Sequence, residues 1–95
     1  MLTLANYING ASVASSSPHR TPIVDPVTAS PYCYAPNSNA ADVDVAMKAA
    51  AKAFETWKET TPSERQLLLL KVADALEARA DEIWSAECKN CGKPK

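Results

Sequence analysis

The chain has 95 residues, with ten Lys and Arg against eleven Asp and Glu and a net charge of -1. A chain this short buries only a modest share of its surface, so it makes at most one small domain of marginal independent stability. Its charges are interspersed without a basic run and no apolar stretch approaches a membrane span, which argues against nucleic acid or a bilayer as partner.

Met1 to Ile8 carries neither the basic residues nor the long apolar run of a secretory signal, so a cytoplasmic protein is expected. Composition then changes near Asn37. Ser, Thr, Pro and β-branched residues dominate before it, and Ala, Leu, Glu and Lys after it. Extended structure is predicted first, as a β-hairpin region over residues 1–36, and helices second, over 40–59 and 62–91. In the first part, Leu4 to Ile8 reads as a strand, and Asn9-Gly10 is the dipeptide preferred in a tight type I′ turn because both residues tolerate positive φ. Ala11 to Ala14 is the return strand, Ser15-Ser16-Ser17-Pro18 a loop, and Thr21 to Val24 a further short strand. Pro26, Pro31 and Pro36 are expected to keep later segments short or at sheet edges.

The first helix should start after Asn39, whose side chain can cap free amides, with Asp42 favouring the positive end of the helix dipole. Val43, Met47, Ala50, Phe54 and Trp57 recur at spacings of four and three and so share one face, which needs a surface to cover it. Thr61-Pro62-Ser63-Glu64 combines an N-cap, the proline favoured at the first helical position and a capping-box acid. Leu69, Val72, Leu76, Ala80, Ile83 and Glu87 then continue one face until Gly92 and Pro94 stop the helix. Leu67, Leu68, Leu70 and Trp84 widen that face beyond what two helices can cover for each other. The apolar helix surface thus asks for protein beyond the chain.

Few residues qualify as chemistry-bearing. Cys33, Cys88 and Cys91 are an odd number, so reduced thiols are expected rather than a disulfide framework. Cys88-Lys89-Asn90-Cys91 has the spacing of a redox dithiol or half a zinc site, but it falls at a helix end, and only Cys33 and His19 could complete a zinc ligand set. Two small thiols near a helix terminus are the simpler reading. Phe54, Trp57 and Trp84 lie on helical faces with other apolar residues and read as packing rather than as a stacking platform. His19 stands in a Ser-Pro loop and is read as solvated. With Gly10 and Gly92 the only glycines, no phosphate loop is present and no cofactor-binding residues are assigned.

Taken together, the motifs resemble the start of the aldehyde dehydrogenase superfamily. Asn6-Tyr7-Ile8-Asn9-Gly10 resembles its opening hairpin, and Asp25-Pro26-Val27-Thr28 its Asn-Pro-Ala-Thr turn. Ala41-Asp42-Val43-Asp44 with Ala53-Phe54 and Trp57 is similar to the first helix, Glu64-Arg65 to the opening of the second, and Gly92-Lys93-Pro94 to its closing signature. Asn90 to Pro94 looks most like the enzymes acting on aminobutyraldehyde and betaine aldehyde. Two departures stand in the turn: Asp25 replaces its Asn, and Ala29-Ser30 replaces the Gly-Glu that follows it. Alanine resists the positive φ that glycine supplies, which bears on the geometry of this turn.

The resemblance implies an α+β fragment, hairpins and two long amphipathic helices, that decorates a Rossmann-like α/β cofactor domain. It implies oxidation of an aldehyde, an aminoaldehyde in the group that Asn90 to Pro94 resembles, to the acid with NAD or NADP. A cysteine attacks the aldehyde, hydride passes to the nicotinamide, and a glutamate-activated water releases the acid. These groups come from later in the family's chain, so neither Cys88 nor Cys91 is assigned as nucleophile, no catalytic residue is assigned here, and the fragment alone is expected to be inactive. The partners implied are the remainder of the dehydrogenase, further copies in a homo-oligomer and the aldehyde. A monovalent cation, K+ or Na+, is bound in the betaine aldehyde group near the positions that match Ile23, Val24 and Asn90, mainly by backbone carbonyls. The alternative reading is a free-standing helical protein-interaction module that covers the same apolar surface by association.

Overall fold

The computed structural model describes residues 1–94. Five short strands, β1 (Leu2–Thr3), β2 (Asn6–Ile8), β3 (Ala11–Val13), β4 (Arg20–Asp25) and β5 (Ser30–Pro36), precede three helices, α1 (Ala40–Trp57), α2 (Pro62–Ala78) and α3 (Ala80–Cys91). The architecture is α+β, with β2 and β3 forming a two-stranded sheet and β1, β5 and β4 a three-stranded one in that order.

Local chemistry accounts for most of these boundaries. Asn9 at φ 52° and Gly10 at φ 79° form the turn of the β2–β3 hairpin, both with the positive φ that a type I′ turn requires. At α1 the side chain of Asn39 accepts from the Asp42 amide at 3.0 Å while the Asp42 carboxylate accepts from the Asn39 amide at 3.2 Å. Thr61 and Glu64 repeat this reciprocal cap at α2, at 3.2 and 2.8 Å, with Pro62 opening the helix. Arg65 clasps the α1–α2 junction, its Nε donating to Thr60 Oγ1 at 2.8 Å and its guanidinium lying 5.6 Å from the Trp57 ring centroid.

Two expectations are corrected. The single helix expected over 62–91 is two helices, broken at Arg79, whose φ of -116° and ψ of 24° lie outside the helical basin. No Gly or Pro marks the place. The cause is tertiary: α3 turns to pack on β4, whereas α2 meets its neighbours in the chain, α3 and, through Arg65, Trp57 of α1. Asp81 and Glu82 at the new helix start favour its positive end, and Arg79 forms a two-point ion pair with Glu82 at 2.6 and 2.9 Å. The second correction concerns the prolines. Pro31 and Pro36 lie in β5, the middle strand of its sheet rather than an edge. They are tolerated because β1 pairs only with Cys33 and Tyr34, so the second edge of β5 carries no ladder at either proline.

The helices lie open. Cys33 is the only buried apolar residue among the described residues, and no helix contains a buried residue. Phe54, Trp57 and Trp84, read from the sequence as packed, are 58%, 42% and 58% exposed within this chain. The Cα radius of gyration is 16.9 Å, against about 12 Å for a compact domain of this length. The accessible surface of 7504 Å² exceeds that of a compact monomer of this mass by roughly 2,200 Å². With extents of 47 × 34 × 15 Å, the chain is a thin plate whose apolar helix faces are uncovered. No helix of the described residues is long and apolar enough to cross a membrane.

Candidate functional site

The β4–β5 pairing is irregular where the end of α3 meets it. The partner of Ile23 is Cys33, but that of Val24 is Pro31, so Tyr32 is an extra residue with no opposite number. A bulge of this kind re-aims the side chain it carries. The Tyr32 hydroxyl donates to Asn90 Oδ1 at 3.2 Å, and Lys89 Nζ sits 4.9 Å from its ring centroid. Desolvation first, and the neighbouring Cys33 second, push the Tyr32 phenol up from its ordinary pKa.

Gly92 ends α3 at φ 74° and donates its amide to the Cys88 carbonyl at 2.8 Å. The left-handed conformation suits glycine, and so does the space: a Cβ there would lie 3.0 Å from Pro26 Cγ. Pro26 belongs to the β4–β5 turn, in which Asp25 accepts from the Val27 amide with its side chain and from the Ala29 amide with its carbonyl, both at 2.8 Å. Ala29 takes φ 57°, so this turn keeps a left-handed residue even without glycine. Beyond the cap, Lys93 reaches back to Glu87 at 3.2 Å. That pairing, with a weaker bond from the Cys91 thiol, holds the Glu87 carboxyl below its usual range.

Ile23 and Val24 thus flank the bulge on the edge strand β4, and Asn90 stands on the helix that packs against it. The elements meet, while Asn90 points its amide oxygen at Tyr32, a partner that sequence reasoning missed because a bulge leaves no mark in composition. Backbone carbonyls and a neutral amide are donors of the kind a hard cation takes, and the Asn90 amide oxygen is here engaged by the Tyr32 hydroxyl. Among the described residues no group of three or more His, Cys, Asp and Glu side chains is placed to hold a metal ion. Cys88 and Cys91 share the last turns of α3: Cys91 Sγ is 3.5 Å from Glu87 Oε1, and Cys88 helps line a groove of about 350 Å³ with Trp84, Glu87, Lys93 and Pro94. His19 is exposed, and Cys33 is buried at the centre of its sheet.

A second polar cluster forms at the start of α1. Besides capping the helix, Asp42 accepts from the Ser15 hydroxyl and from the amide and hydroxyl of Ser16, at 2.9 and 2.8 Å for the last two. The Ser15 hydroxyl foremost, then the Ser16 amide, hold its carboxyl well below the usual carboxylate range. The serine run read as a loop is therefore tied to the helix.

Residues 12–95 match the model described as Aldehyde dehydrogenase family. The chain is 41% identical over 92 residues to 2-aminomuconic semialdehyde dehydrogenase of Danio rerio, and 40% over 93 residues to that of Homo sapiens. These alignments cover 97% and 98% of this chain but 18% and 19% of the relatives. A 2-hydroxymuconic semialdehyde dehydrogenase of Pseudomonas sp. strain CF600 is 38% identical over 96 residues, covering all of this chain and 20% of that protein. The crystal structure of an aldehyde dehydrogenase from Bartonella henselae superposes with a TM-score of 0.94 at 34% identity, over 99% of this chain and 20% of the other. The chain spans about a fifth of the length of the relatives it matches.

Proposed function

Because this chain belongs to the aldehyde dehydrogenase family, we propose that it forms part of a cytoplasmic enzyme that oxidises an aldehyde to the carboxylic acid with NAD or NADP as acceptor. The observation that carries this reading is the superposition of nearly the whole chain on a fifth of a dehydrogenase, at a TM-score of 0.94. The nucleophilic cysteine, the glutamate that activates water and the cofactor site belong, in this reading, to the rest of the enzyme. The cofactor supplies the hydride acceptor. This chain supplies a plate whose apolar faces, Leu69, Val72 and Leu76 among them, lie against that remainder. The roughly 2,200 Å² of excess surface is within the range of permanent interfaces. A free-standing interaction module would use the same surface, but the match to a dehydrogenase along the chain favours the first reading.

The aldehyde is proposed to carry a second polar group, as an aminoaldehyde or a semialdehyde. The ending at Asn90 to Pro94 supports the former and the names of the relatives the latter. The enzyme is proposed to be a homo-oligomer. A monovalent cation, K+ or Na+, is proposed to sit at the carbonyls of Ile23 and Val24 with Asn90 beside them, a reading supported by the packing of α3 on β4. The test is reduction of NAD or NADP by the full-length protein with a panel of aminoaldehydes, semialdehydes and simple aliphatic aldehydes. Turnover with the first two classes above the third is expected. Absence of turnover with every aldehyde would overturn the reading, and the 95-residue chain alone is expected to give none.

A further inference from the structure

We propose that Asn9 is a site of spontaneous covalent modification, in which its side-chain amide is lost through attack by the Gly10 amide nitrogen. The dipeptide that makes the turn also makes it reactive. Gly10 has no Cβ to obstruct its nitrogen, and its surroundings are open: a Cβ built there would find no heavy atom within 4 Å. Both residues are exposed. The Ile8–Ala11 pair closes the ladder of the hairpin, which leaves the Gly10 amide outside it.

The closed turn, with Asn9 at φ 52°, restrains the attack, so the rate follows how often the turn opens. Opening is local. The β2–β3 sheet has only two strands and three residue pairs, and every residue of β3 is exposed. Hairpins of that size are marginal in water unless packed against something else. Its anchors lie away from the turn: α1 touches β2, Asn6 Nδ2 donates to Ser38 Oγ at 2.8 Å, and Ser15 and Ser16, beyond the end of β3, are bound to Asp42.

In the reaction the Gly10 nitrogen bonds to Asn9 Cγ and the Cγ–Nδ2 bond breaks. The proton from the Gly10 amide leaves with the departing nitrogen as ammonia. Water then opens the cyclic imide at either carbonyl. Opening at the side-chain carbon gives aspartate, and opening at the backbone carbon gives isoaspartate, which adds a methylene to the main chain. A two-residue type I′ turn has no room for that methylene, so β3 loses its register, and β3 leads directly to the serines that Asp42 holds.

The test is to age the intact protein in mildly alkaline buffer and follow the peptides carrying Asn9, Asn39 and Asn90 by mass spectrometry, with enzymatic methyl labelling of isoaspartate. Asn39 is the internal reference, since its side chain is bound in the α1 cap and Ala40 follows it. Loss of the amide at Asn9 is expected to be roughly tenfold or more faster than at Asn39, in line with local rather than global opening, with isoaspartate labelling absent from that peptide in Asn9→Gln. The proposal is overturned if Asn9 in the folded protein reacts no faster than Asn39, including the case where it reacts quickly only in denaturant.

Discussion

Gly92, at the C-terminal cap of α3, packs against the ring of Pro26 so closely that a Cβ on the glycine would stand 3.0 Å from Pro26 Cγ and 3.6 Å from Val27 Cγ2. The helix end and the β4–β5 turn are thereby fitted to each other. Gly92→Ala is expected to destabilise the intact protein twice over, by about 1–2 kcal/mol for the left-handed backbone and further for the contact. Pro26→Ala in the same chain should recover the second part and leave the first. Chemical denaturation of the two single variants and the double variant measures the coupling; strictly additive costs would show that the contact plays no role.

Ala29 presents the opposite case, a left-handed position at φ 57° filled by a residue with a side chain. Ala29→Gly relieves about 1–2 kcal/mol of backbone strain and returns part of it as unfolded-state freedom, for a net stabilisation of roughly 0.5–1 kcal/mol. A lower denaturation midpoint than the parent would contradict the geometry of this turn.

Asp42 should make stability sensitive to acid. Its carboxyl is held below the ordinary range in the fold by Ser15 and Ser16, whereas in the unfolded chain it titrates near 4. The bonds therefore contribute fully above that value, and their contribution falls as pH drops below it towards the folded-state value. Asp42→Asn is expected to lower stability at neutral pH and to flatten the acid limb of the profile. Parallel profiles for parent and variant across the acid range would remove Asp42 as a cause.

The cation proposed at Ile23, Val24 and Asn90 is checked by melting temperature. K+ or Na+ should raise it above the value in choline chloride at equal ionic strength, since a ligand that binds only the folded state stabilises it. Asn90→Asp adds negative charge beside the carbonyls and should enlarge the difference, while Asn90→Ala should shrink it. Equal melting in all three salts would eliminate the site.

The legible parts of this fold were those written in neighbouring residues. Asn9-Gly10, Asn39 with Asp42, Thr61 with Glu64, and Gly92 each carry their own turn or cap chemistry, and each sits where that chemistry placed it. What escaped notice depends on residues far apart in the chain. The break at Arg79 follows from α3 turning onto β4, and β5 runs through two prolines because its neighbour β1 is only two residues long. The candidate site divides in the same way. Ile23, Val24 and Asn90 came from resemblance, whereas the Tyr32 bond to Asn90 depends on a bulge that has no composition of its own. The tie from Asp42 to Ser15 and Ser16 spans 27 and 26 residues and was equally invisible.

The caps that start α1 and α2 and end α3 are local, and the apolar ridges of these helices are uncovered within this chain. Helices whose starts are fixed by their own residues begin to form early in synthesis, within microseconds of the chain becoming available. If the covering surface is the rest of the enzyme, as proposed above, the exposed ridge of Leu67 to Leu70 is made before that surface, since translation adds only about 5–20 residues per second. That interval is when a nascent chain of this design is most exposed to aggregation and has most use for a chaperone. Changes that slow the arrival of the covering surface should therefore lower the yield of soluble protein even when the finished protein is no less stable.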